Sequence, residues 1–212
     1  RSIIDDVSKP NAKPRLLVGA MSGTSADGID AALVRIAGRF PDQRVELLAR
    51  RHVRYPTGVA RTIHGIRSSG RVTLALLEQL SNDIASSYAR CIAPLLDRST
   101  DPLRAVGVHG QTLFHAPPLT MQSIDAAKLA TMLGVPVVSD FRRADCALGG
   151  QGAPLVPMAD YVLFRSQREN RVMLNLGGIA NITVIPASAS IADVIAFDTG
   201  PANCISDHLC KQ

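Results

Sequence analysis

The ten residues Met21 to Asp30 read Met-Ser-Gly-Thr-Ser-Ala-Asp-Gly-Ile-Asp and lie between two apolar runs, Leu16 to Ala20 and Ala31 to Ile36. Strand, polar turn and strand in that order predict a hairpin that opens the ordered part of the fold. Its turn is chemically loaded. Two glycines let the backbone bend sharply and aim N–H groups at an anion, Ser22, Thr24 and Ser25 add short donors, and Asp27 can orient water or a magnesium ion. An ordinary hairpin is an equally consistent reading of the segment alone, because Asp-Gly is itself a strong hairpin signal.

The rest of the chain alternates strand and helix patterns. Val45 to Val53 continues as a third strand, followed by a short helix over 59–66. From Val72 to Leu96 apolar residues recur at helical spacing (Leu76, Leu80, Ile84, Tyr88, Cys91, Leu95), with Pro94 expected to kink the helix or end it early. A strand over Ala105 to Val108 delivers His109-Gly110-Gln111-Thr112 at its carboxyl end, where α/β sheets place ligand groups. A helix from Ile124 stops at Gly134, and a strand over Val135 to Ser139 leads to Asp140-Phe141-Arg142-Arg143. The loop Gly149-Gly150-Gln151-Gly152 enters a helix over Pro154 to Phe164. Then come strands over Val172 to Leu176 and Ile179 to Ile185, joined at Gly177-Gly178, and a third over Val194 to Phe197. That last strand runs into Asp198-Thr199-Gly200-Pro201, where Pro201 can open a final helix. The alternation implies an α/β fold with a partly parallel sheet. Glycine-turn hairpins begin both halves; facing one another across a cleft, they would hold a nucleoside triphosphate.

Composition narrows the partners. With 46% hydrophobic and 19% charged residues, the 212-residue chain reads as a soluble globular protein of one large or two small domains. Scarce aromatics and no tryptophan argue against a base-stacking nucleic-acid binder. The net charge of +5 is scattered and fits an anionic small molecule as well as it fits nucleic acid. Cysteines 91, 146, 204 and 210 form neither a CxxC pair nor a zinc pattern, so no metal ligands are assigned and free thiols of a reducing compartment are expected. No segment reaches membrane-spanning length, and the polar start lacks a signal-peptide core, so a cytoplasmic protein with no membrane partner is expected. The expected organisation is a flexible tail over 1–14, a first α/β domain with the phosphate-binding hairpin over 15–140, and a connector with the beginning of a second α/β domain over 141–212.

Several side chains stand out. Asp198 at a strand end beside Gly200 is placed for a general base, or for capping the following helix, with Asn203 nearby. His109, Gln111 and Thr112 can read sugar hydroxyls, although a lone strand-end histidine is commonly structural. Arg142 and Arg143 can clamp a carboxylate or phosphate, or be solvated surface charges. The 149–152 loop is not a complete GxGxxG, and no GxxxxGK[ST] occurs, which disfavours a P-loop or standard Rossmann assignment.

Six motifs taken in order resemble the anhydro-N-acetylmuramic acid kinase family. They are Gly19 to Ser25 with Asp27 to Asp30, His109 to Thr112, Asp140 to Arg143, Gly149 to Pro157, Asn175 to Asn181 and Phe197 to Pro201, covering about residues 16 to 207. The resemblance implies an actin/sugar kinase/Hsp70-type, ribonuclease H-like ATPase fold whose second domain is incomplete here. It implies a cell-wall recycling enzyme that uses ATP and Mg2+ to open the 1,6-anhydro bond of its sugar with water and phosphorylate O6. By motif, Ser22, Gly23, Thr24, Ser25, Ala26, Asp27, Gly28 and Ile29 would hold ATP phosphates, with Gly177 and Gly178 as the second phosphate hairpin. Asp198 would be the catalytic base. His109 and Asn181 would meet sugar hydroxyls, and Arg143 the lactyl carboxylate. Homodimer formation stays open.

Two departures from the family pattern matter. Ala26 replaces a larger apolar residue, and Ala202 stands where a second glycine is usual, which would strain the loop if φ there must be positive. The family's glycine-rich adenosine segment has no counterpart in these 212 residues. An inactive sugar-binding or regulatory fragment of the same fold, or a different sugar kinase, therefore remains as an alternative.

Overall fold

A computed structural model describes residues 13–98 and 102–210. The tail expected over 1–14 lies, as far as residue 12, outside the described residues. The chain divides into two compact units: one comprises the chain up to Gly38 and Arg44–Gly152, the other Arg39–Gln43 and the chain from Ala153 onward.

The first unit is a five-stranded sheet in the order β3-β2-β1-β4-β7. Strands β1 (Arg15–Met21), β2 (Gly28–Ala37) and β3 (Arg44–Arg54) form an antiparallel meander. Strands β4 (Leu103–Val108) and β7 (Val137–Val138) extend it in parallel. This is the ribonuclease H-like order, and with its helices the molecule is the mixed α/β fold expected from the sequence. Alternation explains the pairing. Leu16, Val18 and Ala20 of β1 and Ile29, Ala31 and Leu33 of β2 are buried, and Val18 lies opposite Leu33. A one-residue slip would turn that row to solvent, so the register is well specified.

Against this core packs the long helix α2 (Leu74–Leu96), which follows α1 (Thr57–Ser69). Leu80, Ile84, Tyr88, Cys91, Ile92 and Leu95 of α2 are at most 2% exposed. Each large apolar side chain so buried contributes about 1.5–3 kcal/mol of transfer free energy. Thr73 caps the helix, its Oγ1 accepting from Leu76 N at 3.2 Å. Of the two effects expected of Pro94, an early end does not occur; the helix runs on to Leu96. Proline removes the hydrogen bond to the carbonyl of Arg90, but Arg90 is exposed, while the buried Cys91, Ile92 and Leu95 hold the last turn on the core.

Three further elements position the site. Gln111 and Thr112, expected at the carboxyl end of the strand before them, open strand β5 (Gln111–Ala116), which turns through Pro117-Pro118 into β6 (Leu119–Ser123) as a separate two-stranded sheet. Helix α3 (Ala126–Leu133) starts two residues later than expected, capped by Asp125, and stops as expected at Gly134, which is left-handed. Phe141–Ala147, to which the sequence pattern assigned no element, forms a short helix, α4.

In the second unit, α5 (Val156–Phe164) precedes an antiparallel sheet of order β10-β9-β8, built from β8 (Arg171–Leu176), β9 (Ile179–Ile185) and β10 (Ile195–Pro201), followed by α6 (Asn203–Leu209). Residues 39–43 join this unit through Arg165, which pairs with Asp42 at 2.7 Å and lies 5.2 Å from the centroid of the Tyr161 ring. One sheet face meets α5, where buried Thr183 donates from Oγ1 to Asp160 Oδ2 at 2.7 Å. Register gathers Val172, Leu174, Leu176, Ile195 and Phe197 on the other face, each 49–60% exposed.

Candidate active site

The glycine-turn loop of the first unit is built on a buried polar post. Gln111 is fully buried, and its carboxamide accepts from Ser22 Oγ at 2.7 Å through Oε1 and donates from Nε2 to Gly23 O at 3.2 Å. The sequence suggested that Gln111 reads sugar hydroxyls; in the structure both of its ends are spent on the loop. Ala26 N closes the turn onto Gly23 O at 3.2 Å, and Tyr55 N donates to Asp27 O at 3.1 Å. Arg67 of α1 donates to Thr24 O from outside.

This scaffold sorts the eight residues Ser22 to Ile29. Ser22, Ala26, Gly28 and Ile29 are buried and hold the turn in shape. Thr24, Ser25 and Asp27 are exposed at the tip, with Ser25 Oγ donating to Asp27 Oδ1 at 2.9 Å. Gly28 is required by the sheet: a Cβ there would lie 2.6 Å from Val53 O and 2.8 Å from the His52 ring. Ala26 takes φ +55 in the left-handed region, which costs a non-glycine residue about 1–2 kcal/mol.

Two tyrosines lie beneath the loop, a role their sequence positions did not reveal. Tyr88 donates from its buried hydroxyl to Gly110 O at 2.9 Å, and burial first, then the neighbouring Tyr55, raises its pKa well above the ordinary phenol value. Burial likewise pushes Tyr55 up to about 12. Ser22 lies near enough to oppose that shift, yet the Tyr55 hydroxyl is buried without a hydrogen bond of good geometry.

His109 sits beside this post, its backbone N–H donating to Ala20 O at 3.0 Å. Arg142 Nε donates to His109 Nε2 at 2.7 Å, so the ring proton resides on Nδ1, which faces Gly110 O at 3.0 Å. Burial holds the His109 pKa below its ordinary value, with the Arg142 charge adding to the effect. Arg142 also donates to Gly152 O at 2.7 Å, fastening the 149–152 loop, whose Gly152 N donates to Asp145 Oδ2 at 2.7 Å. Arg143 points elsewhere and makes an exposed pair with Asp140, 2.6 Å at its shortest, which raises its pKa. Arg142, not Arg143, is thus the arginine that reaches His109.

In the second unit, strand register brings Asn181 directly opposite Asp198 and Asn175 directly opposite Asn181. Three polar side chains therefore emerge in a row on one face, neighbouring Cβ atoms about 5 Å apart. Asn175 was not singled out from sequence; only the pairing reveals it. Asp198 is exposed, and no hydrogen bond or ion pair engages its carboxylate among the described residues. It lies within β10 and does not cap α6, whose cap position is Ala202. A bulge follows Asp198, and Gly200 takes φ +145, open only to glycine. Ala202 has φ −131, so the positive φ that would have made alanine costly there is not needed. The Gly177-Gly178 turn is tied to the start of α6: Asn203 N donates to Gly177 O at 2.9 Å and Ala202 N to Gly178 O at 3.1 Å.

No group of three or more metal-ligating side chains occurs among the described residues, and no described helix is long and apolar enough to cross a membrane.

Comparison with known proteins bears on what each of these two clusters serves. A protein of Salinibacter ruber named anhydro-N-acetylmuramic acid kinase is 46% identical over 213 residues, spanning 93% of this chain and 53% of its own length. Its namesake in Caldanaerobacter subterraneus subsp. tengcongensis is 40% identical over 215 residues, spanning 95% and 54%. The chain thus spans about half the length of the curated relatives it matches. Among solved structures, an exopolyphosphatase-like protein superposes distantly, with a TM-score of 0.42 and 15% identity over 87% of this chain and 50% of the other. The family model described as anhydro-N-acetylmuramic acid kinase matches residues 15–212, and the chain belongs to that family.

Proposed function

We propose that these residues carry the phosphate-gripping loop and the base of an enzyme that opens the 1,6-anhydro bond of anhydro-N-acetylmuramic acid with water and phosphorylates O6. The product is N-acetylmuramic acid 6-phosphate, formed in cytoplasmic cell-wall recycling. The observation that carries this reading is Asp198: an exposed carboxylate with no partner among the described residues, beside a bulge and across from Asn181. A general base must be free to take a proton, and this one is.

Asp198 removes a proton from the water that attacks C1. As the C1–O6 bond breaks, its electron pair goes to O6, which then takes the phosphoryl group. ATP would supply that group and leave as ADP, and Mg2+ held beside the phosphates would offset their charge. The exposed tip formed by Thr24, Ser25 and Asp27 fits such a ligand, with backbone N–H groups of 22–29 and of Gly177-Gly178 as further donors. Mg2+ at a phosphate site keeps several waters and takes one or two protein carboxylates; Asp27 is the one we assign. Asn181 and Arg143 are assigned to the sugar, and so is His109, whose Nδ1–H would exchange Gly110 O for a sugar hydroxyl. Arg143 would exchange its exposed pairing with Asp140 for the substrate carboxylate.

The test is turnover of anhydro-N-acetylmuramic acid with ATP and Mg2+ in 18O-water, run on this chain with the Salinibacter ruber relative as positive control. One labelled oxygen at C1 of the 6-phosphate is expected, with Asp198→Asn abolishing turnover while nucleotide binding persists. An unlabelled C1, under conditions where the product does not exchange, or turnover that survives Asp198→Asn overturns the assignment. Calorimetry showing sugar binding without nucleotide binding would favour the inactive-fragment reading.

A further inference from the structure

Helix α1 presents two unlike faces. Val59 and Ile63 are buried in the core, with Ala60 and Ile66 packed alongside. Arg61, His64, Gly65 and Ser68, at spacing i, i+3, i+4 and i+7, share the outer face. With Arg67 and Thr24 they line an open cavity of about 820 Å³ that contains no acidic residue. No hydrogen bond or ion pair joins Arg61 or His64 to another described residue. Arg67 is held against the glycine-turn loop through Thr24 O.

We propose that this face of α1 is a binding site for a phosphate-type oxyanion, separate from the loop backbone at 22–29 but touching it at Thr24. Three observations converge. Two guanidinium groups and an imidazole line one hollow without a counter-charge, an arrangement that an anion relieves. Guanidinium forks match tetrahedral oxyanions by paired hydrogen bonds, which gives the site its chemical class. The third is Gly65. A glycine inside a helix costs about 0.5–1 kcal/mol relative to alanine. No packing demands it, because a Cβ at Gly65 would meet nothing within 4 Å. A ligand approaching the helix backbone is a reason for glycine that the protein interior does not supply.

The anion is held by side chains and not by the helix dipole, since the cavity lies toward the carboxyl end of α1, where the dipole disfavours negative charge. Ligand and loop are coupled through Arg67: its guanidinium serves the anion and the Thr24 carbonyl from one rigid plane. This site does not depend on the kinase reading, which concerns the other contacts of the loop.

The test is two-dimensional NMR of the 212-residue chain titrated with inorganic phosphate and, in parallel, with glucose 6-phosphate. Saturable shifts at the amides of residues 61–68, carried to Thr24 and Ser25, are the expected result. Tighter binding of the ester identifies a sugar phosphate as the class bound, and equal or tighter binding of inorganic phosphate identifies the free ion. Arg61→Ala should raise the Kd about tenfold, the loss of one charge-assisted contact, and Arg61→Glu should remove binding at α1. Both replacements are at an exposed position, so the fold is retained. Shifts confined to 22–29 with 61–68 unmoved, or an unchanged Kd in Arg61→Ala, would overturn the proposal.

Discussion

Replacing Gln111 by leucine should loosen the first unit by about 2–4 kcal/mol. The side chain is fully buried and makes two contacts across the fold, one to Ser22 Oγ and one to Gly23 O. Leucine approximates its volume but strands both partners. A buried polar group without a partner costs about 1–3 kcal/mol. Ser22 is 2% exposed and bears nearly the full penalty, whereas Gly23 is half-buried and can be reached by water. The unpartnered Tyr55 hydroxyl beside Ser22 offers a partial substitute, which sets the lower end of the range. Against a usual domain stability of about 5–15 kcal/mol this is a large fraction. Because the chain has two units, a single melting curve would mix them, so native-state hydrogen exchange at the β1 and β4 amides is the appropriate measurement. Adding Ser22→Ala to the leucine variant removes the orphaned hydroxyl and should recover about 1–2 kcal/mol, a coupling that distant sites do not show. A loss below about 0.5 kcal/mol, or strict additivity of the two replacements, would refute the buried-post account.

Gly28→Ala should destabilise the β2–β3 pairing by about 1–3 kcal/mol, as expected for overpacking, and His52→Ala should not rescue it, because the nearer obstacle is the backbone carbonyl of Val53; native-state hydrogen exchange at the β2 and β3 amides of the single and double variants checks both. The depressed His109 pKa makes the folded state bind fewer protons than the unfolded one between its folded pKa and the ordinary 6.5. Stability therefore rises with pH through that window, levels off above it, and is lost as pH falls through the folded pKa. Hydrogen exchange of the first unit from pH 7.5 to 5 should show that slope, and His109→Gln should flatten it; an unchanged slope would contradict the burial of the ring.

The strands and the long helix were legible because each carries its own periodicity. Leu16, Val18 and Ala20 alternate, and Leu80, Ile84, Tyr88, Cys91 and Leu95 recur every three to four residues, so local pattern and tertiary burial agree. What escaped depended on partners distant in sequence. Strand β5 begins at Gln111, a polar residue buried because it supports a loop 88 or 89 residues earlier, and no local pattern announces that. Helix α4 starts after Asp140 at φ +70 without a side-chain cap, so the usual start signal is missing. For the candidate site, the glycine turns and Asp198 were readable as motifs. The row of Asn175, Asn181 and Asp198 was not, because register between strands decides it. Pro94 does not stop its helix for the converse reason: its local penalty is real, but the burial around it outweighs it.

The apolar face of the β8–β10 sheet bears on how this polypeptide behaves in a test tube. Five half-bare aliphatic and aromatic side chains form a sticky plane, and the chain's formal charge of +5 is the force holding molecules apart. Added salt shortens the reach of that repulsion while leaving the attraction of the plane intact. Solutions of these 212 residues should therefore stay clear at low ionic strength and cloud as salt is raised, the reverse of a protein whose association is driven by charge.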